Sequence, residues 1–182
     1  MKVIMVDLDG TLVDTNEVNY LAYSEALCAH GYKIEKEYYY NNCNGRYYLD
    51  FLPEITTQDR KILEDIHKRK KEAYSKYLNY AKLNLNLVDL IKICRSGCRS
   101  ALVTTASKKN TYELLEYFSI TDLFDLILTR DDIVKSKPDP QGYLLALNYF
   151  DIEAMDAVVF EDSPEGVQAA ERAGCDCYRV IR

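Results

Sequence analysis

Two aspartates stand two positions apart where an apolar run ends. The run is Val3-Ile4-Met5-Val6, and Asp7-Leu8-Asp9-Gly10-Thr11-Leu12 follows it. Like charges this close repel, so they need a proton or a cation between them. Mg²⁺ is the natural partner, a hard cation that takes carboxylates, waters and phosphate oxygens. One aspartate is then placed to attack a phosphorus atom, and the other to handle protons. Two solvated acids in a turn are the ordinary reading of an isolated Asp-x-Asp. The longer run, coming after a buried strand, is far more specific. Strict strand pleating points Asp7 and Asp9 to one side, and Gly10 permits a sharp turn there.

Three later stretches carry polar groups that suit the same chemistry. Thr104 ends an apolar run, and its hydroxyl can donate to a phosphoryl oxygen, with Thr105 assisting. Lys137, in Lys135-Ser136-Lys137-Pro138-Asp139-Pro140, supplies a point charge for a phosphoryl group. Glu161-Asp162 follow Val158-Val159-Phe160 directly. Asp162 would complete a carboxylate set for Mg²⁺ with Asp7 and Asp9, and Glu161 would hold a metal-bound water. Each has a bland counterpart: a chance threonine, a surface lysine before a proline, and a helix-capping aspartate.

The elements that must position these groups follow from periodicity. Val3–Val6 reads as a strand buried on both faces. Asn16–His30 reads as a helix, with Gly31 after its end. Residues 38–46 read as a polar loop between helices. Thr56 is expected to open a second long helix with Asp59 as its capping partner, running through Ile62, Leu63, Ile66 and Ala73 to Leu78. The block His67-Lys68-Arg69-Lys70-Lys71 reads as its solvated face, and His30 as a residue compensating a helix end. Helices are then expected at 85–94, 108–118, 138–150 and 163–173. Strands are expected at 99–103, 125–128, 157–160 and 177–181. This alternation predicts an α/β fold, a Rossmann-like parallel sheet with helices on both faces. Residues 1–15 and 83–182 form the core in this reading, and 16–82 an inserted helical domain. All four polar stretches then fall at one edge of the sheet, where ligands of such sheets bind.

The totals narrow the partners. The 182 residues carry a net charge of −6, which argues against nucleic acid as the main partner. No apolar run approaches the roughly 18 residues of a membrane span. Six cysteines with no secretory segment before them read as reduced thiols of a cytoplasmic protein. Their spacings do not match a zinc site.

Asp7-x-Asp9-Gly-Thr11 resembles the first motif of the haloacid dehalogenase superfamily. Thr104, Lys137 and Glu161-Asp162 resemble its second, third and fourth motifs, in order. The stretch from Ser163 to Gly174 is similar to the helix after motif four in the sugar-phosphate branch, and 16–82 to that branch's helical cap. The resemblance implies a Mg²⁺-dependent phosphatase acting on a small phosphomonoester, a sugar phosphate or a phosphoglycolate-like acid. It implies Asp7 as nucleophile forming an aspartyl-phosphate, and Asp9 as the proton donor and then acceptor. It implies metal ligation by Asp7, Asp162 and the Asp9 carbonyl, with Thr104 and Lys137 neutralising the transferring group. Arg46 in the insertion is the candidate for the substrate's tail. The rivals are a β-phosphoglucomutase-like phosphotransferase and a non-catalytic binding protein on the same fold. Asn19, where those mutases tend to carry His, and Thr11 favour hydrolysis. Asp9 argues against a dehalogenase.

Overall fold

The computed structural model describes residues 2–181, which divide into two compact units. One comprises residues up to 14 together with 82 onward; the other is 15–81.

In the first unit, β1 (Lys2–Val6), β4 (Cys98–Val103), β5 (Leu126–Leu128), β6 (Ala157–Glu161) and β7 (Asp176–Arg179) form one parallel sheet in the order β5-β4-β1-β6-β7. β1 is central, paired with β4 on one side and β6 on the other, and from Val3 to Val6 it is buried. A strand so placed cannot expose a polar side chain on either face, so it reads as a continuous apolar run.

Successive residues alternate between the faces. Val3, Met5, Ala101, Val103 and Val159 share one core with α7 (Gln141–Phe150) and α8 (Pro164–Arg172). That core is rich in alanine: Ala146, Ala169, Ala170 and Ala173 let the two helices lie close to the sheet. Gly142 is the tightest point, where an added Cβ would come within 2.9 Å of Val103 Cγ1. Ile4 and Leu102 alternate to the opposite face. The remaining helices, α5 (Leu85–Cys94) and α6 (Lys108–Tyr117), bury Leu87, Val88, Ile91, Leu114 and Leu115. A two-residue antiparallel ladder joins β2 (Val13–Asp14) to β3 (Lys82–Leu83), pinning the points where the insertion leaves and rejoins this unit.

The second unit is helical: α1 (Asn16–Cys28), α2 (Lys36–Asn42), α3 (Tyr48–Ile55), α4 (Arg60–Ala73) and a 3₁₀ segment over Tyr74–Tyr80. Tyr23, Ala26, Leu27, Tyr39, Phe51, Leu52, Leu63 and Ile66 make its core.

Several expected boundaries move. Residues 38–42 belong to α2 and not to a loop, because Tyr39 is buried against Tyr23 and Phe51. Thr56 closes α3, and Asp59 is itself the N-cap of α4, accepting from Lys61 N at 2.9 Å. The two-turn helix α3 leaves no helical signal in the sequence because Pro53 interrupts its pattern; burial of Phe51 and Leu52 holds it. α7 begins at Gln141 and not at Pro138, since residues before prolines are pushed out of helical geometry and both Lys137 and Asp139 precede one.

His67 is not part of a solvated face. Its ring stacks on Tyr48 with centroids 3.9 Å apart, and its Nδ1 lies 3.2 Å from the Tyr23 hydroxyl. Burial, helped by Lys70 and Lys71, lowers its pKa from 6.5 to about 4. His30 pairs with Asp65 at 2.9 Å.

Two stability predictions follow from this packing. Thr111 on α6 is fully buried and its hydroxyl has no partner. Thr111→Val should therefore raise stability by about 1 kcal/mol, a Tm gain of roughly 2–4 °C in a thermal melt. The unfolded chain protonates His67 near 6.5 while the folded chain resists down to about 4. The stability this neutral ring contributes is therefore complete above 6.5 and is lost as pH falls toward 4. His67→Phe should escape that loss, so urea melts between pH 7 and 4.5 should show the variant gaining on the parent chain as pH falls.

Candidate active site

The strand order places a switch point between β1 and β6. From β1 the chain moves outward through β4 and β5, then returns to the other side of β1. Ligands of open α/β sheets bind outside the carboxyl ends of strands at such a point. Asp7 leaves the end of β1 here, and Glu161 and Asp162 leave the end of β6. Asp7 N donates to Phe160 O at 3.1 Å, which ties the two ends together.

Beyond Val6 the chain abandons strand geometry, so pleating does not set the directions of Asp7 and Asp9. Leu12 N bonds Asp7 O at 3.2 Å, Val13 N bonds Leu8 O at 2.9 Å, and Gly10 N bonds Val13 O at 2.8 Å. Gly10 sits at φ +91°, and an added Cβ there would overlap the Asp162 carboxylate. The loop therefore needs glycine twice over, for its backbone and for its neighbour. Thr11 Oγ1 donates to Asp162 Oδ1 at 2.7 Å, and Asn84 fastens the loop from below through Leu12 O and Thr11 O.

Asp7, Glu161 and Asp162 form the carboxylate group that this edge brings together, each offering an oxygen within 4.8 Å of the others. Asp9, half-buried, lies outside that group but close enough to repel the Asp7 charge. The Lys137 ammonium stands among them. It donates to Asp7 Oδ1 at 2.6 Å, Glu161 Oε1 at 2.5 Å and Val103 O at 3.0 Å. Three N–H groups meet three acceptors, so the ammonium is saturated.

Glu161 is the most heavily bonded carboxylate. Besides Lys137, its Oε1 accepts from the Tyr143 hydroxyl at 3.2 Å. Its Oε2 accepts from Asp162 N, Ser163 N and Ser163 Oγ at 3.0, 3.1 and 3.1 Å. These donors include the start of α8, where Ser163 also caps Gly166 N at 3.0 Å. The carboxylate lies so close over Gly166 that any Cβ there would overlap it.

Electrostatics follow from this packing. Burial pushes the Asp7 carboxyl up, and the Lys137 ammonium pulls against it. Burial also works against the Lys137 charge, but Asp7, Tyr143 and Glu161 hold it well above the usual lysine range. Asp162 is raised by burial too, opposed by the Thr11 bond. Three carboxylates face one ammonium, an excess of negative charge in a poorly solvated place. Hard oxygen donors in that imbalance fit a divalent cation such as Mg²⁺ and give a soft metal nothing to bind.

Lys137 lies outside regular structure, yet its loop is bonded throughout. Gln141 accepts from Val134 N and Lys135 N at 2.8 and 2.7 Å. Arg130 donates to Ile133 O and Val134 O, and Arg172 of α8 to Pro138 O at 2.8 Å. Thr104 is buried at the end of β4, its Oγ1 accepting from Ala106 N at 3.0 Å, while Thr105 is exposed. Arg46 belongs to the helical unit. There its guanidinium is paired with Glu54 at 2.6 and 3.1 Å and bonded to Asn42 O and Asp50 O, joining α2 to α3. Tyr143 was not legible as a site residue: at helical spacing in an apolar stretch it reads as core.

Comparison with known proteins gives the family. A family model described as haloacid dehalogenase-like hydrolase matches residues 4–180. A Thermotoga maritima protein named phosphorylated carbohydrates phosphatase is 29% identical over 189 residues, covering all of this chain and 86% of its own length. The Escherichia coli fructose-1-phosphate phosphatase YqaB is 30% identical, with 97% of this chain and 95% of that protein covered. The crystal structure of CbbY from Rhodobacter sphaeroides, in complex with phosphate, superposes with a TM-score of 0.85 at 29% identity, covering all of this chain and 87% of that one. The sheet order, the carboxylate edge and a match over nearly the whole chain lead to one assignment: the chain belongs to the haloacid dehalogenase-like hydrolases.

Proposed function

We propose that this phosphoric monoester hydrolase acts on a small phosphorylated metabolite, a sugar phosphate or phosphoglycolate-like acid, through an aspartyl-phosphate on Asp7, and that it depends on Mg²⁺. The observation that carries the reading is the excess of carboxylates around a single buried lysine at the β1–β6 edge. Relatives named for phosphorylated carbohydrates and fructose 1-phosphate support the substrate class. Six free thiols suit a reducing compartment, which this reading takes to be the cytoplasm. No helix among the described residues is long and apolar enough to cross a membrane.

The carboxylates of Asp7 and Asp162 and the backbone carbonyl of Asp9 would hold the ion, with Glu161 holding a water bound to it. When bound, the ion supplies positive charge to a group that carries negative charge through its transfer. Asp7 must be ionised to attack; burial raises its pKa and works against that state, and the Lys137 ammonium is the group that favours it. A carboxylate oxygen of Asp7 forms a bond to phosphorus while the bond to the ester oxygen breaks. Asp9 gives its proton to the departing alkoxide. It then takes a proton from water as the water oxygen attacks phosphorus, which frees inorganic phosphate and restores Asp7. Lys137 shifts an N–H from one of its present acceptors to a phosphoryl oxygen, and Thr104 donates its hydroxyl. Such catalysis is mostly placement and charge.

Asp7→Asn keeps the shape and removes the nucleophile. Hydrolysis of p-nitrophenyl phosphate with Mg²⁺ should fall by at least about a thousandfold, on the order of losing a covalent nucleophile, with circular dichroism unchanged. Full activity in a folded Asp7→Asn chain would refute the aspartyl-phosphate. Chelation with EDTA should abolish turnover and added Mg²⁺ restore it; turnover that survives exhaustive chelation refutes metal dependence. A panel of phosphomonoesters, with β-glucose 1-phosphate included for phosphotransfer, identifies the substrate class.

A further inference from the structure

Lysine carries a compact charge on a flexible stem, yet Lys137 must hold that charge between three acceptors at once. Its three N–H groups reach acceptors on three different elements: the β1 end, the β4 end and the β6 end. Those bonds cannot all persist when a phosphoryl oxygen claims one of them. Something outside the exchange has to keep the ammonium in place.

Tyr143 is suited to that. It is buried to 1% exposure on the first turn of α7. Its ring centroid lies 5.2 Å from Lys137 Nζ, within cation–π range. Its hydroxyl donates to Glu161 Oε1, the same oxygen that accepts from Lys137. Phenylalanine would fill the same core volume, so packing does not account for the hydroxyl. The neighbouring Gly142 lets α7 settle on Val103, whose carbonyl is the third acceptor of Lys137.

We propose that Tyr143 is the positioning residue of the phosphoryl-binding lysine: its ring backs the Lys137 ammonium and its hydroxyl holds Glu161 Oε1 in register while the other partners of Lys137 exchange. The kinetic consequence rests on the phosphatase reading above; the structural one does not.

The test uses the full chain labelled with ¹⁵N. The lysine side-chain spectrum should contain one slowly exchanging ammonium resonance, identified by its loss in Lys137→Met. In Tyr143→Phe, solvent exchange of that resonance should quicken by at least about tenfold, in line with losing a hydrogen bond to a charged group. Tyr149→Phe, an exposed position on the same helix, should leave it unchanged. With p-nitrophenyl phosphate and Mg²⁺, Tyr143→Phe should lower kcat about tenfold and leave KM within about twofold, at unchanged helicity. Tyr143→Leu, which removes the ring as well, should lower kcat further. A merely structural tyrosine would lower Tm and leave both kcat and the resonance of the folded chain where they were, and that result overturns the proposal. So does the absence of any protected ammonium in the parent chain. If the parent chain hydrolyses no phosphomonoester while Tyr143→Phe still releases the resonance, the phosphatase reading fails and the positioning role stands.

Discussion

The ion pair that joins Lys137 to Asp7 and Glu161 is the contact on which this structure turns. It is buried, it spans the ends of two neighbouring strands, and it leaves negative charge over. A buried charge without a partner is costly enough that a protein avoids it or neutralises it. Here one ammonium serves two carboxylates, and a third lies within reach. The site is thus held in a state that a divalent cation or a rearranged lysine would relieve. That imbalance is tolerable because Glu161 is satisfied by five donors.

The rest of the α/β unit can be understood as what makes this contact possible. A parallel sheet brings β1 and β6 side by side with their carboxyl ends together. Helix α8 begins just after β6, so the Asp162 N–H and its N-cap Ser163, through N–H and hydroxyl, support Glu161. The alanine-rich seam and Gly142 draw α7 onto the sheet, which puts Tyr143 beneath the pair. The loop carrying Lys137 has no regular structure, but Gln141, Arg130 and Arg172 bond it at both ends. Two glycines, Gly10 and Gly166, leave room for the carboxylates of Asp162 and Glu161. Small residues at the rim therefore serve the charges rather than the turns alone.

Legibility in the sequence varied with the source of each element's stability. The core helices and strands are legible to within a few residues where local signals coincide: the Ser163-Pro164 start and Gly174 stop of α8 and the apolar run of β1. Reading failed where burial overrode local preference. Helix α3 contains a proline and is held by Phe51 and Leu52. The tyrosines of α2 looked like a loop because their polar atoms and Asn neighbours suggested turns, but Tyr39 is core. His67 looks solvated among lysines, yet it stacks on Tyr48 of the preceding helix, α3. Such a partner 19 residues away leaves no trace in periodicity.

The sequence by itself determined which chemistry was available. Residue types set proton affinity, charge and hardness toward metals, so the acids, the lysine and the threonine of the four polar stretches were legible without coordinates. The chain's periodicity also implied a parallel sheet, with Asp7, Thr104 and Glu161-Asp162 following the ends of its strands. Only the tertiary structure decided how those charges are shared. It saturated Lys137 with three acceptors, surrounded Glu161 with donors, set Tyr143 against both, and committed Arg46 to Glu54. Local propensity acts over a few residues, while the bonds of Lys137 to Asp7, Val103 and Glu161 and of Tyr143 to Glu161 join residues from 18 to 130 positions distant. Their geometry comes from packing, which no stretch of sequence encodes alone.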